Sequence, residues 1–429
     1  NTHNVVLLTA LLSLLVDETT ETTFVHPCSG NPLNFTLQGP KVSEEVLTSY
    51  LTRAGTVGAL LHPQTHPTPP NVTDTIRMIT HVGLKYAGRS VYTWGGENAL
   101  PSILTEAARN AQLVHAADPE IILEGAVFEI VTLTGVQSLT IPDYVFVDFG
   151  LPVPSPSRRF NYSAMIFPDG FGVDMWGVNM SVPDMLQLET RLWFYFAGTQ
   201  YMLVGAEALH LGQIMLMSKQ DAAENGMQAT WDLLLRLRSF ATKRARRGIV
   251  LCNAHLYEDP YVHLNGTNQL LFDLHAFPSR PEPVMSHPEQ RDCALEVGFE
   301  DSVYTHSAGG VSVSGWSTPS LPYMVELDNY GCTDHPGVQD PKDTWHPWGY
   351  DEVTWFAHQT KDQRDSWVQY AVSRLCDIDP AANFEVEMLR GLCDPVFPDR
   401  NATHTYLASD TPPHGFGQEA AIRRAWKLT

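Results

Sequence analysis

The sequence predicts an α/β fold: a (β/α)8 TIM-type barrel with an N-terminal extension and a long insertion after the third strand. Three observations predict it. From residue 57 onward, short β-type runs alternate with amphipathic helical segments, the pattern of a parallel sheet with crossover helices. The β-type runs number eight. The 429-residue chain is 43% hydrophobic and 10% aromatic, enough for one large core and outside the composition of disordered chains.

The elements follow in order. Residues 1–56 form the N-terminal extension. Its run Val5 to Val16 (VVLLTALLSLLV) is almost unbroken and apolar. It has the look of a signal-peptide core, without a basic segment before it or an A-x-A site after it. It is too short for a membrane span, which needs about 20 residues. Burial is the expectation, either against its own domain or in a neighbouring subunit, as a homo-oligomer or filament joined through residues 5–16. A helix is predicted over Val42–Arg53. The barrel occupies 57–429, with strands predicted at Val57–His62, Ser90–Trp94, Ile121–Phe128, Ala208–Leu216, Gly248–Cys252, Leu270–Phe277, Tyr323–Asp328 and Phe384–Leu389.

The Pro-rich stretch 63–70 reads as a loop after the first strand. Residues 130–180 read as the long insertion. Ser181-Val-Pro-Asp184 reads as a capping box, followed by Met185, Leu188, Leu192, Phe196 and Leu203 at helical spacing. The helix through Trp231, Leu235 and Phe240 ends in Lys243, Arg244, Arg246 and Arg247, then Gly248, a cationic last turn and a glycine stop. The link 278–322 shows no clear helix and contains a strand-like run, Leu295–Phe299. One long helix is predicted from Asp351 to Leu375 and a last one from Phe416 to Leu428.

Lys plus Arg is 27 and Asp plus Glu is 48, a net charge of -21. Such a surface repels phosphate backbones and anionic membranes, so neither nucleic acid nor a membrane is expected as a partner. Six sequons, at Asn34, Asn71, Asn161, Asn179, Asn265 and Asn401, together with six cysteines, favour an extracellular, N-glycosylated and disulfide-bonded protein. Six cysteines allow 15 connectivities. Cys376 with Cys393, and Cys293 with Cys332, are the nearest late pairs in sequence. Cys252, inside an apolar run, reads as a buried free thiol.

In a barrel of this type the active site lies at the C-terminal ends of the strands. The residues expected there include His62, Trp94, Glu97, Glu129, Gln213, Asn253, His255, Asp273, His275, Glu326 and Asp328. Aromatic faces stack on pyranose rings, and paired carboxylates perform acid/base and nucleophilic work on glycosidic bonds. The catalytic candidates are Glu129, Glu326 and Asp328. Glu326 and Asp328 share one side of the seventh strand by alternation, where an inward carboxylate is costly unless paired. The substrate-binding candidates are Trp94, Glu97, Gln213, His255, Asp273, His275 and Trp348, with Trp316, Trp345 and Trp355 as further cleft walls. No spacing supports a metal cluster of His255, His275 and Asp273. GxSxG, P-loop, HExxH and dinucleotide motifs are absent, and no cofactor is expected. Glu124 and Glu207 read as structural.

The stretches PDGFGVDMWG, VPDMLQLETRLWFYFAG, ALHLGQIMLM, GIVLCNAH, LLFDLHAFPSR and LPYMVELDNYG resemble an uncharacterised family of secreted, glycoside-hydrolase-like barrel proteins from polysaccharide-degrading microbes. The resemblance covers roughly residues 85 to 380. It implies a TIM-type barrel and carbohydrate as ligand. It also implies an acid two residues after the Gln of the fourth-strand motif, where this chain has Met215. Glu326 matches the seventh-strand nucleophile of retaining barrels, and Glu129 would have to replace the missing fourth-strand acid.

Three functions fit. The first is glycoside hydrolysis by Glu326 as nucleophile or general base and Glu129 as general acid, with Asp328 and Asp273 as alternates. A carboxyl separation of about 5–5.5 Å would give retention and about 6.5–9.5 Å inversion. The second is a non-catalytic structural glycoprotein that self-assembles into a fibre or surface layer through its apolar N-terminus. The third is carbohydrate binding without turnover.

Overall fold

A computed structural model describes residues 26, 28–256, 258–279, 304–338, 340, 342, 343, 346–396 and 402–428, with the backbone of 282–283 and 293–294. The apolar run 5–16, the strand-like run Leu295–Phe299, Trp345 and the sequon Asn401 lie outside these residues.

Ten strands form one curled, mostly parallel sheet. They are β1 (Ala54–Val57), β2 (Tyr86–Thr93), β3 (Ile122–Val127), β4 (Ala208–Gln213), β5 (Leu251–His255), β6 (His275–Ser279), β7 (Tyr323–Leu327), β8 (Ala382–Phe384), β9 (Val386–Val396) and β10 (Thr403–Leu407). From β8 down to β1 the neighbours follow sequence order, and β9 and β10 continue past β1. β8 pairs in parallel with β7 through Tyr323 and Ala382. β9 pairs in parallel with β1 through Gly55 and Val386. Glu385 alone separates β8 from β9. Only the β9–β10 pair of this sheet is antiparallel.

The larger helices are α1 (Glu44–Leu51), α2 (Val72–His81), α3 (Leu100–Ala117), α4 (Leu188–Val204), α5 (Gln228–Arg244), α6 (Glu352–His358), α7 (Lys361–Ile378) and α8 (Glu419–Ala425). α2 to α5 each connect consecutive parallel strands, and α6 with α7 connect β7 to β8. No helix follows β5 or β6 among the described residues.

The sheet's N-terminal end is stopped by α1. Ser43 caps this helix by accepting the Val46 N–H. Its buried Leu47, Tyr50 and Leu51 pack with Ala54, Tyr86, Ile122, Ala208, Leu251, Ala276 and Met324 from seven strands. Leu47 and Leu51 are 0% exposed, and burying each contributes about 1.5–3 kcal/mol.

Several expected elements are corrected. The sixth strand begins at His275, not Leu270. Leu270, Leu271 and Phe272 are buried, but Leu270 and Leu271 donate to Val311 and Val262 in neighbouring loops. Their apolarity fills the core without building ladder. Ser181 caps no helix: Met180–Ser181 forms a short antiparallel strand with Val131–Thr132, and α4 starts at Leu188 after Gln187. The long helix expected after β7 is two. Gln359 is extended, and Thr360 restarts the chain with a capping box to Gln363.

The disulfides also differ from the nearest-pair expectation. Cys28 bonds Cys376 and Cys332 bonds Cys393. Cys252 is free and buried, and burial pushes its thiol up to about 12. No helix of the described residues is long and apolar enough to cross a membrane.

Candidate functional site

Above the apolar layer on α1, the inner face of the sheet turns polar. Tyr86 on β2 donates its hydroxyl to Glu124 on β3. Asn253 on β5 donates to the same carboxylate at 2.6 Å and to the Tyr86 oxygen at 3.0 Å. Its own oxygen meets His210 Nδ1 from β4 at 2.5 Å. Glu124 Oε2 accepts the Arg89 backbone N–H at 2.9 Å. Gly88 sits beside this layer, where a Cβ would lie 1.9 Å from Glu385 Oε1 and displace that carboxyl.

The next layer, nearer the strands' C-terminal ends, centres on Glu326 of β7. Arg89 Nη2 donates to Glu326 Oε1, and His255 Nε2 meets the same oxygen at 2.8 Å. Arg390 Nη1 of β9 lies 3.7 Å from Glu326 Oε2 and 3.3 Å from Glu387 Oε1. Arg89 reaches this position through a left-handed backbone, φ 53°, inside the irregular stretch between Ala87 and Val91 of the β2–β3 pairing. A non-glycine residue in that region is uncommon and costs energy. Here it sends the guanidinium to Glu326 and the backbone N–H to Glu124.

Charge is divided unequally among the four carboxyls. Burial opposes ionisation of Glu326, but Arg89, His255 and Arg390 outweigh it and hold the group well below its ordinary range. Burial pushes Glu387 up to about 8, aided by Glu326 and only partly offset by Arg390. Glu385 is raised well above its ordinary value by burial, then by the charges of Glu326 and Glu124. Glu124 is raised by burial despite its donors. His210 is held well below its usual value by burial and then by His255, so it stays neutral. An ionised Glu326 thus lies near a protonated Glu387, the divergence that separates base from acid in carboxylate pairs.

A run of aromatic rings adjoins both layers. His62, Tyr92, Phe128, His210 and His255 follow one another edge to face at 5.5, 5.5, 5.8 and 4.5 Å. At the rim, Trp94 is 47% exposed and lies 5.9 Å from Trp176 of the insertion. Trp176 donates its indole N–H to the Glu129 carbonyl at 3.1 Å. Glu129 Oε2 accepts the Gln213 backbone N–H at 2.9 Å, and Oε1 accepts the Gln213 amide at 3.2 Å. Gly212 allows this approach with φ 52°; a Cβ there would lie 2.1 Å from Glu129 Oε2.

The predicted residues therefore separate. Glu326 and His255 share a hydrogen bond. Glu129, Gln213 and Trp94 gather on the rim with Trp176. Asp273 and His275 stand at the start of β6, not its end, because the strand begins later than its apolar run. Asp273 binds Arg238 at 3.0 Å and the Cys252 N–H at 2.8 Å; His275 meets the Ser307 hydroxyl at 2.7 Å. Trp348 is 1% exposed and stacks on Trp355 at 5.2 Å, a core position that forms no cleft wall. Trp316 donates to the Val42 carbonyl at 2.8 Å, beside α1. Glu97 is buried and accepts the Thr132 N–H at 2.9 Å, tying the turn after β2 to the short strand Val131–Thr132. Asp328, past the end of β7, is half-buried and accepts the Asn329 N–H at 2.9 Å. Glu207 holds Arg246 and Arg247, each at 2.8 Å.

Sequence reasoning missed Arg89, Arg390, Glu385 and Glu387. Glu385 and Glu387 were legible as acids alternating with apolar residues in a strand. Among the described residues, no group of three or more His, Cys, Asp or Glu side chains could hold a metal ion. Asn71, Asn161, Asn179 and Asn265 are exposed and Asn34 is half-buried.

No family model matches the chain, and no curated protein matches it. Among the solved structures that resemble it in part are two enzymes. Isomalto-dextranase of Arthrobacter globiformis T6, complexed with panose, is 14% identical with a TM-score of 0.31; the match covers 57% of this chain and 41% of that one. The carboxyl transferase domain of Rhizobium etli pyruvate carboxylase is 14% identical with a TM-score of 0.18, over 56% of this chain and 42% of that one. The chain thus spans less than half the length of either.

Proposed function

We propose that the sheet closes into a (β/α)8 barrel whose C-terminal mouth binds carbohydrate and hydrolyses glycosidic bonds outside the cell. Closure is supported by the pairing of β8 with β7 and of β9 with β1, one residue apart in the chain. An extracellular, N-glycosylated setting is supported by two disulfides and by sequons on accessible asparagines.

One observation carries the activity. An ionised Glu326 near the end of β7 is held by Arg89 and His255, and His255 stands beside Gln213 in the sheet, whose amide binds Glu129 next to Trp176 and Trp94. In this reading Glu326 is nucleophile or general base. Glu129, on the rim, is the general acid. Trp94 supplies the stacking face, and Gln213 and His255 orient hydroxyls. The test is a screen of the full chain against polysaccharides for new reducing ends. Glu326→Gln and Glu129→Gln should each remove activity, and Trp94→Ala should weaken binding without changing the unfolding midpoint. Full activity in Glu326→Gln defeats the assignment.

A second reading, a barrel that binds or assembles without turnover, is favoured by a specific observation. Glu326 is 2% exposed, and both Glu129 oxygens are occupied by Gln213. Glycan binding without reducing ends from any bound glycan would select it.

A further inference from the structure

Away from the barrel's inner face, a cavity of about 540 Å³ opens between α4, α5 and the insertion helix Asp143–Asp148. Its volume falls in the range of small-molecule sites, about 300–1,000 Å³. Three rings meet there: Tyr144 lies 6.4 Å from Tyr195 and 6.2 Å from Phe240. The two tyrosine hydroxyls are already engaged. Tyr144 Oη meets Thr199 at 2.7 Å, and Tyr195 donates to Asp148 at 2.7 Å. The rings are thus fixed in place, and what Tyr144 and Phe240 still offer to solvent is apolar.

The charge around the cavity runs against that of the chain. Arg236, Lys243 and Arg244 line it with Asp148 as the single acid, in a protein of net charge -21. Arg236 is held by Asp232 at 2.7 Å. Lys243 and Arg244 are exposed, and neither side chain has an ion-pair partner among the described residues. Cations in a last turn also offset the helix dipole, which accounts for their sign but not for the aromatic cavity beside them.

We propose that this cavity is a binding site for a small amphipathic organic anion, its ring body against Tyr144 and Phe240 and its carboxylate or sulfonate on Lys243 and Arg244. The site is independent of the barrel mouth and of the hydrolytic reading. 1-Anilinonaphthalene-8-sulfonate, which joins an aromatic body to a sulfonate, is the probe. Titrated into the folded full chain, it should give saturable, one-site fluorescence enhancement that weakens as salt is raised. Lys243→Glu with Arg244→Glu should weaken the dissociation constant about tenfold or more, a change of about 1.4 kcal/mol. Leu235→Glu, at the cavity edge, should do the same, and near-UV circular dichroism should report an unchanged fold. N-phenyl-1-naphthylamine, which lacks the sulfonate, should bind with little response to the double substitution. Absence of saturable binding, equal affinity in the charge-reversed variant, or loss of the signal in Trp94→Ala would each overturn the proposal.

Discussion

Replacing Glu326 by Gln keeps the side chain's shape and removes its charge. The amide oxygen can still accept from Arg89 or His255, but it balances no charge. Arg89, whose side chain is 13% exposed, then keeps its charge but loses the anion that balances it most strongly against the opposing effect of burial. Breaking a buried ion pair by removing one partner costs about 3–5 kcal/mol. Glu385, kept protonated partly by the Glu326 charge, becomes easier to ionise in the variant and can take over part of the role. The expected loss is therefore about 3 kcal/mol, near the lower bound. Urea unfolding followed by far-UV circular dichroism at neutral pH measures it. Arg89→Met combined with Glu326→Gln should be less destabilised than the two single losses added together. A loss below about 1 kcal/mol, the scale of an exposed pair, would refute the argument that this network is both charged and buried. Retained stability with abolished hydrolysis would instead assign Glu326 to chemistry alone.

The neighbouring acids carry their own signatures. Glu387 has a folded value of about 8 against an ordinary 4.5; between those values the unfolded chain releases a proton that the folded chain keeps. Stability should fall as pH rises through that window, and Glu387→Gln should flatten the slope in unfolding midpoints measured between them. Glu326 has the opposite sign: its lowered value gives stability that is lost as pH falls below the ordinary carboxylate range. Gly88→Ala would place a Cβ 1.9 Å from Glu385 Oε1, forcing that carboxyl aside, and should cost about 1 kcal/mol, the low end for overpacking, read by thermal unfolding. Removing the Cys28–Cys376 bond, which spans 348 residues, with a double Ser substitution should cost about 2–5 kcal/mol in denaturant unfolding.

Much of the fold was readable because parallel strands advertise themselves as short apolar runs punctuated by helices. The eight predicted runs overlap or abut strands of the one curled sheet. The errors have a common cause: apolarity reports burial, not hydrogen bonding. Leu270 to Phe272 are as buried as any strand, yet they lie in a loop, and that displacement moved Asp273 and His275 to the wrong end of β6. Trp348, in a late loop, reads as a cleft wall from sequence, whereas its ring is packed on Trp355. The Cys28–Cys376 pairing could not be read, since distance along the chain says nothing about distance across a sheet. Part of the site was legible. Glu326 stood out as an inward acid on a strand end. Arg89 did not, because its role depends on a left-handed backbone that no local motif announces.

The pairing of β1 with β9 also has a consequence for how the molecule is made. Gly55 waits for Val386, its partner some three hundred residues downstream. Until that segment has left the ribosome, one side of β1 carries unsatisfied backbone groups, and Glu326 faces Arg89 without Arg390. Pairings this distant in sequence slow folding and leave partly assembled sheets open to wrong partners. A nascent chain stalled before residue 386 should therefore bind chaperones and remain protease-sensitive, and release of the next stretch should bring protection to β1 and β9 together.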